Sequence, residues 1–381
     1  MRIKSTDRLV ENARHHRGLD VDPADGRSSG RGGVSTADRP APPPASAASD
    51  AGSHVAPTRS PLAAAAAFAL DLLGKYGAFI AFAITVLVFS IVNGEEFWGW
   101  GNWKDMLAGA AVPAIVAFGL TVVLTMNDFD LSFGATIGFG GSMAVILVSE
   151  HGASWPVALL GALGIGVAVG VVNGVLVAYA GGPSFIITLA TATVIGGLEI
   201  SQTHSQTIYQ GIPTSFTQLG QGVLWGLKYP VYIALGVGLI LWGLLTQTEW
   251  GRYMTAVGGN PEAARLTGLR TRALRLAGFV IAGACATLAG VLLQAAAASS
   301  YPNSGTGYLL RVFAAVFLGA AMSPNNRFNI PGTLVGVVFL QVIDVGLIQL
   351  NLEDWVPDVV TGSVLIFAVL LSRLGRRTAV T

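Results

Sequence analysis

The sequence predicts an all-α, polytopic membrane protein of about ten transmembrane helices preceded by a disordered N-terminal tail. Three observations predict it. Of 381 residues, 52% are hydrophobic and only 11% charged, against roughly 25% charged in a soluble domain. The apolar residues fall in runs of about 20, the length that crosses a ~30 Å hydrocarbon layer. The cations are segregated along the chain, as the positive-inside rule requires of a membrane protein.

Residues 1–61 form the expected tail. Gly26 to Pro61 is rich in Gly, Pro, Ser, Ala and Arg, with almost nothing large and apolar to bury. No apolar h-region follows the basic start before Leu62, and the run that begins there is long enough to span, so the tail reads as retained. The transmembrane domain is expected over 62–375, with spans at 72–92, 105–126, 131–149, 156–179, 184–203, 230–246, 275–297, 308–322, 331–350 and 356–373.

An even number of spans puts both termini on one side. Of the 22 Lys and Arg residues, all but Lys104, Lys228 and Arg311 fall in the tail and the start of the first span, the 247–275 loop, the 323–330 turn or the C-terminus. Those segments, and both termini, are therefore expected in the cytoplasm. Trp residues in Glu95–Trp103, at Trp155 and in Glu353–Asp358 then share the outer surface, where indole rings anchor at the headgroup level.

The 49 glycines include small-xxx-small runs at Gly134–Gly141, Gly161–Gly174 and Gly236–Gly243, which predict close helix approach. There is no phosphate-binding G-x-x-x-x-G-K-[ST], no H-E-x-x-H and no G-x-S-x-G in the chain. The five His are scattered, and the lone Cys285 sits within a span as a packing residue. Neither an enzyme nor a metal site is expected, and no nucleic-acid partner. Few charges enter the spans: Asp344 is the clear mid-membrane acid, while Glu199 and Arg311 are expected to reach the outer interface by snorkelling. With no set of intramembrane acids for a coupling ion, the power for any transport is expected to come from elsewhere.

The polar interruption at 247–275 is the most informative stretch. Asn260 is a good N-cap, Pro261 suits the first helical position, Glu262 complements the helix dipole and Gly268 stops the helix. The resulting 261–267 helix is too short to be stable alone, so another element has to hold it. Arg252, Arg265, Arg270, Arg272 and Arg275 surround it.

From about 62 to 375 the chain resembles the permease subunits of bacterial ABC importers for monosaccharides of the ribose, xylose and arabinose type. Phe129–Gly134 (FDLSFG) is similar to the family's IDLSVG. Asn173–Thr191 is similar to its NG-LLVA…PPFIVTLGT, Gly251–Leu269 to its GR-YAIGGNEEAARLSGI, and Gly307–Ala321 to its GYEL-AIAAVVLGG. The third match is the most specific. The resemblance implies that Arg252, Gly259, Asn260, Pro261, Glu262, Ala263, Ala264, Arg265 and Gly268 form the element that docks on a cytoplasmic ATP-binding subunit. It also implies a second permease copy, an extracytoplasmic sugar-binding protein, and ATP and Mg on the partner ATPase with no cofactor on this chain. Candidate pathway residues are Asp130, Ser132, Asn173, Thr188, Thr191 and Asp344. The place implied is the bacterial inner membrane.

Three departures stand out. Asn127 and Asp128 replace the family's two small residues, Asp344 and Val345 replace its paired Asn, and Met322–Gly332 replaces its Gly-rich turn. Two other readings stay open at this point: an ABC permease for branched-chain amino acids or nucleosides, and an ion-coupled carrier.

Overall fold

A computed structural model describes residues 79–378 apart from 324–326, 351 and 354, with side chains as far as 366. The expected tail 1–61, the start of the first span and the middle of the 323–330 turn lie outside the described residues. In chain order the elements are α1 (Phe79–Val92), α2 (Gly94–Trp98), α3 (Trp100–Thr125), α4 (Phe133–Ser149), α5 (Trp155–Ala178), α6 (Ser184–Thr203) and α7 (Thr214–Gln221). A two-residue antiparallel hairpin follows, β1 (Val223–Leu224) with β2 (Leu227–Lys228). Then come α8 (Tyr229–Gln247), α9 (Glu249–Gly259), α10 (Pro261–Leu266), α11 (Thr271–Ala297), α12 (Tyr308–Ala321), α13 (Ile330–Gln349) and α14 (Trp355–Thr378).

A helix lies at every expected span. By length and composition α3, α5, α6, α8, α11 and α13 are able to cross a membrane, while α1, α4, α12 and the described apolar part of α14 are shorter apolar helices. Helices α4 and α12 are short, since 17 and 14 residues give about 25 and 21 Å at 1.5 Å per residue. Both begin after unwound chain. Segment 126–132 precedes α4, and segment 298–307 precedes α12 after folding back along α4. There Ser300 bonds Ser142 (2.9 Å), and a Cβ built on Gly134 would stand 3.3 Å from the Gly305 carbonyl oxygen.

Helix α11 is the hub, packed against α3, α4 and α5, with Phe279, Ala286, Ala289 and Ala295 fully buried. Its contact with α5 is made by small residues in register. A side chain at Gly166 would strike Gly283 and Thr287, one at Gly170 would strike the backbone of Phe279 and Val280, and one at Gly174 would strike Leu276. This is the close backbone approach that bilayer helices use in place of a water-driven force. The Gly236–Gly243 run does not behave this way: Gly238 faces the Phe118 ring, while Gly236 and Gly243 meet nothing. Cys285 is buried against Gly119, as a packing residue.

The register of α5 on α11 yields a direct test. Gly170→Val forces the two backbones apart and is expected to destabilise the folded protein by about 1–3 kcal/mol, seen as a lower melting midpoint in detergent. Gly164→Val, at a position with open space, is expected to stay within about 0.5 kcal/mol of the parent.

Candidate functional site

The stretch from Thr248 to Leu269 is two helices set end to end. The Thr248 side chain caps α9 by accepting from the Gly251 amide at 3.4 Å. Met254 and Val257, three residues apart on one face, are buried in the main core, and Gly258 lies against the Thr125 carbonyl. Helix α9 was not expected; its signal is the Thr248 cap followed by the apolar pair at 254 and 257. It is the element that holds α10, whose Ala264 is buried in the same core.

The local reading of α10 is met in detail. The Asn260 side chain accepts from the Glu262 and Ala263 amides at 3.1 and 3.0 Å, Pro261 is the first helical residue, and Gly268 has φ +85°. The helix ends at Leu266, one residue before the expected 267. Pro261, Glu262, Ala263, Arg265 and Leu266 are all exposed, Leu266 at 79%. Gly259 is exposed at the junction with α9.

Of the five arginines expected around α10, four have partners. Arg265 bonds Glu262 at 2.7 Å, and Arg252 lies 4.0 Å from Glu249. Arg272 sits over the Tyr179 ring at 5.9 Å. Arg275, at the start of α11, makes a two-pronged bond to Asp128, Nε to Oδ2 and Nη2 to Oδ1, each at 2.6 Å. Asp128 is one of the departures noted from the family pattern, and its partner lies seven residues beyond Gly268.

Asp128 opens segment 126–132, where the chain leaves the helix. Non-helical backbone inside a membrane bundle requires partners from the protein, and neighbouring helices supply them. The Phe129 amide donates to Ser184 Oγ (3.1 Å) and the Leu131 amide to Thr188 Oγ1 (3.0 Å), both on α6. The Ser132 amide and hydroxyl both donate to Asp130 Oδ1, at 2.8 and 2.6 Å, and Asn173 of α5 donates to Ser132 Oγ at 2.8 Å. Asp130, Ser132, Asn173 and Thr188 are each at most 2% exposed.

Four of the six expected pathway residues therefore form one cluster, bonded to one another and to the backbone, with Asn173 Oδ1 buried and left without a partner. Thr191 lies outside it, bonded to the Ile187 carbonyl (2.9 Å). Asp344 is elsewhere, between α12, α13 and α14, where Arg311 bonds it at 2.7 Å and stands 3.9 Å from Asp358. Snorkelling is not how Glu199 is accommodated, since it is fully buried against Ser142, while the part-exposed Arg311 bonds Asp344 and reaches toward Asp358. An apolar groove lined by Ala110, Ala114, Phe118, Ala234, Gly238 and Leu334 offers a polar ligand almost nothing to bond.

Comparison with known proteins accords with this architecture. The family described as branched-chain amino acid transport system / permease component matches residues 104–369. The chain is 32% identical over 295 residues to the ribose import permease protein RbsC of Escherichia coli (strain K12), covering 77% of this chain and 91% of that protein. It is 33% identical over 304 residues to the ribose import permease protein RbsC of Bacillus subtilis (strain 168), covering 79% and 94%. Against the D-allose transport system permease protein AlsC of Escherichia coli (strain K12) the identity is 30% over 300 residues, covering 79% and 92%. Matched from α3 into α14, this chain belongs to that family of transport-system permeases.

Proposed function

We propose that the chain is the permease subunit of an ATP-driven importer that moves a monosaccharide across the bacterial inner membrane. The observation that carries this reading is similarity to ribose and allose import permeases along more than nine-tenths of their length. The family's own description names branched-chain amino acids, but the sugar permeases favour the sugar reading over the amino acid and nucleoside readings. In this reading a separate cytoplasmic subunit binds ATP and Mg, a second permease copy completes the pathway, and an extracytoplasmic binding protein delivers the sugar. Both termini and the 247–275 loop are cytoplasmic, as the distribution of Lys and Arg indicates.

Helices α9 and α10 are the coupling element. The exposed face of α10 presents Glu262, Ala263, Arg265 and Leu266, flanked by Arg252 and Gly259 and ended by Gly268, while Ala264 fixes it to the bundle. Movement imposed on α10 passes through Gly268 into α11, and through the Arg275–Asp128 bridge into segment 126–132. The cluster of Asp130, Ser132, Asn173 and Thr188 holds that segment at the pathway. Thr191 and Asp344, the latter bonded by Arg311, are the remaining candidate pathway residues.

Two sets of variants test this. Glu262→Lys reverses the charge at the helix N-terminus, a local cost of about 0.3–1 kcal/mol, and Gly268→Val places a β-branched residue at φ +85°. Both are expected to reach the membrane in normal amount, yet to lose co-purification with the ATP-binding subunit and transport-stimulated ATP hydrolysis. Thr255→Ala, on the part-buried side of α9, is expected to keep both. Asp128→Ala and Arg275→Ala are each expected to cost about 1.5–3 kcal/mol of stability, with a double mutant costing no more than either alone in a mutant cycle on the melting midpoint.

A further inference from the structure

The hairpin between α7 and α8 has no part in the site described above. Its turn is Trp225–Gly226, with both residues at positive φ, +48° and +86°. Two-residue turns with positive φ favour Asn, Asp and Gly, and a bulky side chain in that region is an outlier. Trp225 is nonetheless there and 88% exposed, with Val223 and Leu224 exposed beside it. Three consecutive apolar residues turned away from the protein call for a contact outside it.

The indole is not carried on a loose loop. The strands pair Val223 with Lys228 and Leu224 with Leu227, and Leu227 packs on the main core. The Tyr229 amide donates to the Gly222 carbonyl at 2.9 Å, the Tyr232 hydroxyl to the Leu224 carbonyl at 2.7 Å, and Gln221 Nε2 to the Ala296 carbonyl at 3.0 Å. The hairpin is thus fixed to the first turn of α8 and to the end of α11.

Its distance from the bilayer follows from its length. Helix α8 has 19 residues, about 28 Å at 1.5 Å per residue, so a hydrocarbon layer of ~30 Å takes up the whole helix and Tyr229 stands at the boundary. Only Leu227 and Lys228 separate Tyr229 from the turn. They span about 7 Å if the hairpin stands upright, and less height if it leans. The headgroup layer is itself about 5–7 Å deep on each side, so in either posture the turn stays at headgroup level. The side chains suit that level: an indole with a polar edge, and Lys228, half exposed and on the same face as Val223. Its ammonium stands 3.9 Å from Asp105, a loose pairing at the surface, and is complementary to lipid phosphate.

We propose that Trp225, with Val223, Leu224 and Lys228, is inserted in the phospholipid headgroup layer on the non-cytoplasmic side and fixes the depth of α8. Because α8 runs on into α9 and α10, the anchor gives the coupling element a helix of fixed height to move against. The choice of leaflet rests on the topology given above, while the anchor itself rests only on α8 crossing the membrane.

The test uses the full-length protein in nanodiscs of phosphatidylcholine and phosphatidylglycerol, with the Trp225 emission taken as the difference between the parent and Trp225→Phe. Bromines on acyl carbons near the headgroup are expected to quench that difference more strongly than bromines near the terminal methyl. Iodide in the water is expected to quench it less than it quenches free tryptophan. A bimane label on Trp225→Cys, in a Cys285→Ala background, is expected to show the same order of quenching. Emission that iodide quenches as it does free tryptophan, and that neither lipid affects, places the ring in water, available to a protein partner, and the proposal fails. It fails also if bromines near the terminal methyl quench most, since the hairpin then lies against hydrocarbon.

Discussion

The structure depends on satisfying the backbone where α3 ends and α4 has not begun. Segment 126–132 lies within the packed bundle, and peptide groups there have no water to fall back on. The first amides fold back on α3, those of Phe129 and Leu131 are met by Ser184 and Thr188 of α6, and that of Ser132 by Asp130. Asn173 of α5 and Arg275 of α11 hold the segment by its side chains, Ser132 and Asp128. The positions of α5, α6 and α11 around this segment are therefore not independent choices of packing.

Helix α11 reaches furthest from that centre. Its backbone touches α5 through Gly283 at Gly166 and through Phe279 at Gly170, a contact with no long side chains to absorb a shift. At one end Arg275 bridges to Asp128 and α10 follows directly beyond Gly268; at the other Gln294 meets α4 and segment 298–307. Packed interfaces of this kind shift as units rather than bending gradually. That is the physical basis for reading α10 as the point where an ATP-driven movement enters and segment 126–132 as the point where it acts.

What was legible in the sequence was what is local or periodic. Every span appears as a helix, because apolar runs bounded by polar breaks are read from hydropathy alone. The Asn260 cap, the Pro261 start and the Gly268 stop were legible for the same reason, each being set within four residues of chain. The failures are non-local. Glu199 sits near a span end, which suggests an exit to the interface, but it is buried against Ser142, 57 residues away, and the pairing of Arg311 with Asp344 spans 33 residues. The shortness of α4 and α12 was legible as well, since the expected spans 131–149 and 308–322 differ from them by only two residues and one. Helix α9 was hidden inside a segment read as loop, its apolar face reduced to two residues. The tail assignment concerns residues outside the described part of the chain, and the roles given to the coupling and pathway residues remain proposals.

The measurement that bears most directly on the account is uptake of radiolabelled monosaccharides into proteoliposomes containing this permease and its ATP-binding subunit. ATP is enclosed and the sugar-binding protein is added outside. The account predicts uptake of at least one monosaccharide that requires the enclosed ATP and persists when an uncoupler collapses the ion gradients. Uptake that proceeds without ATP and stops with the uncoupler would contradict it, because movement of the sugar would then be driven by an ion and not by α10.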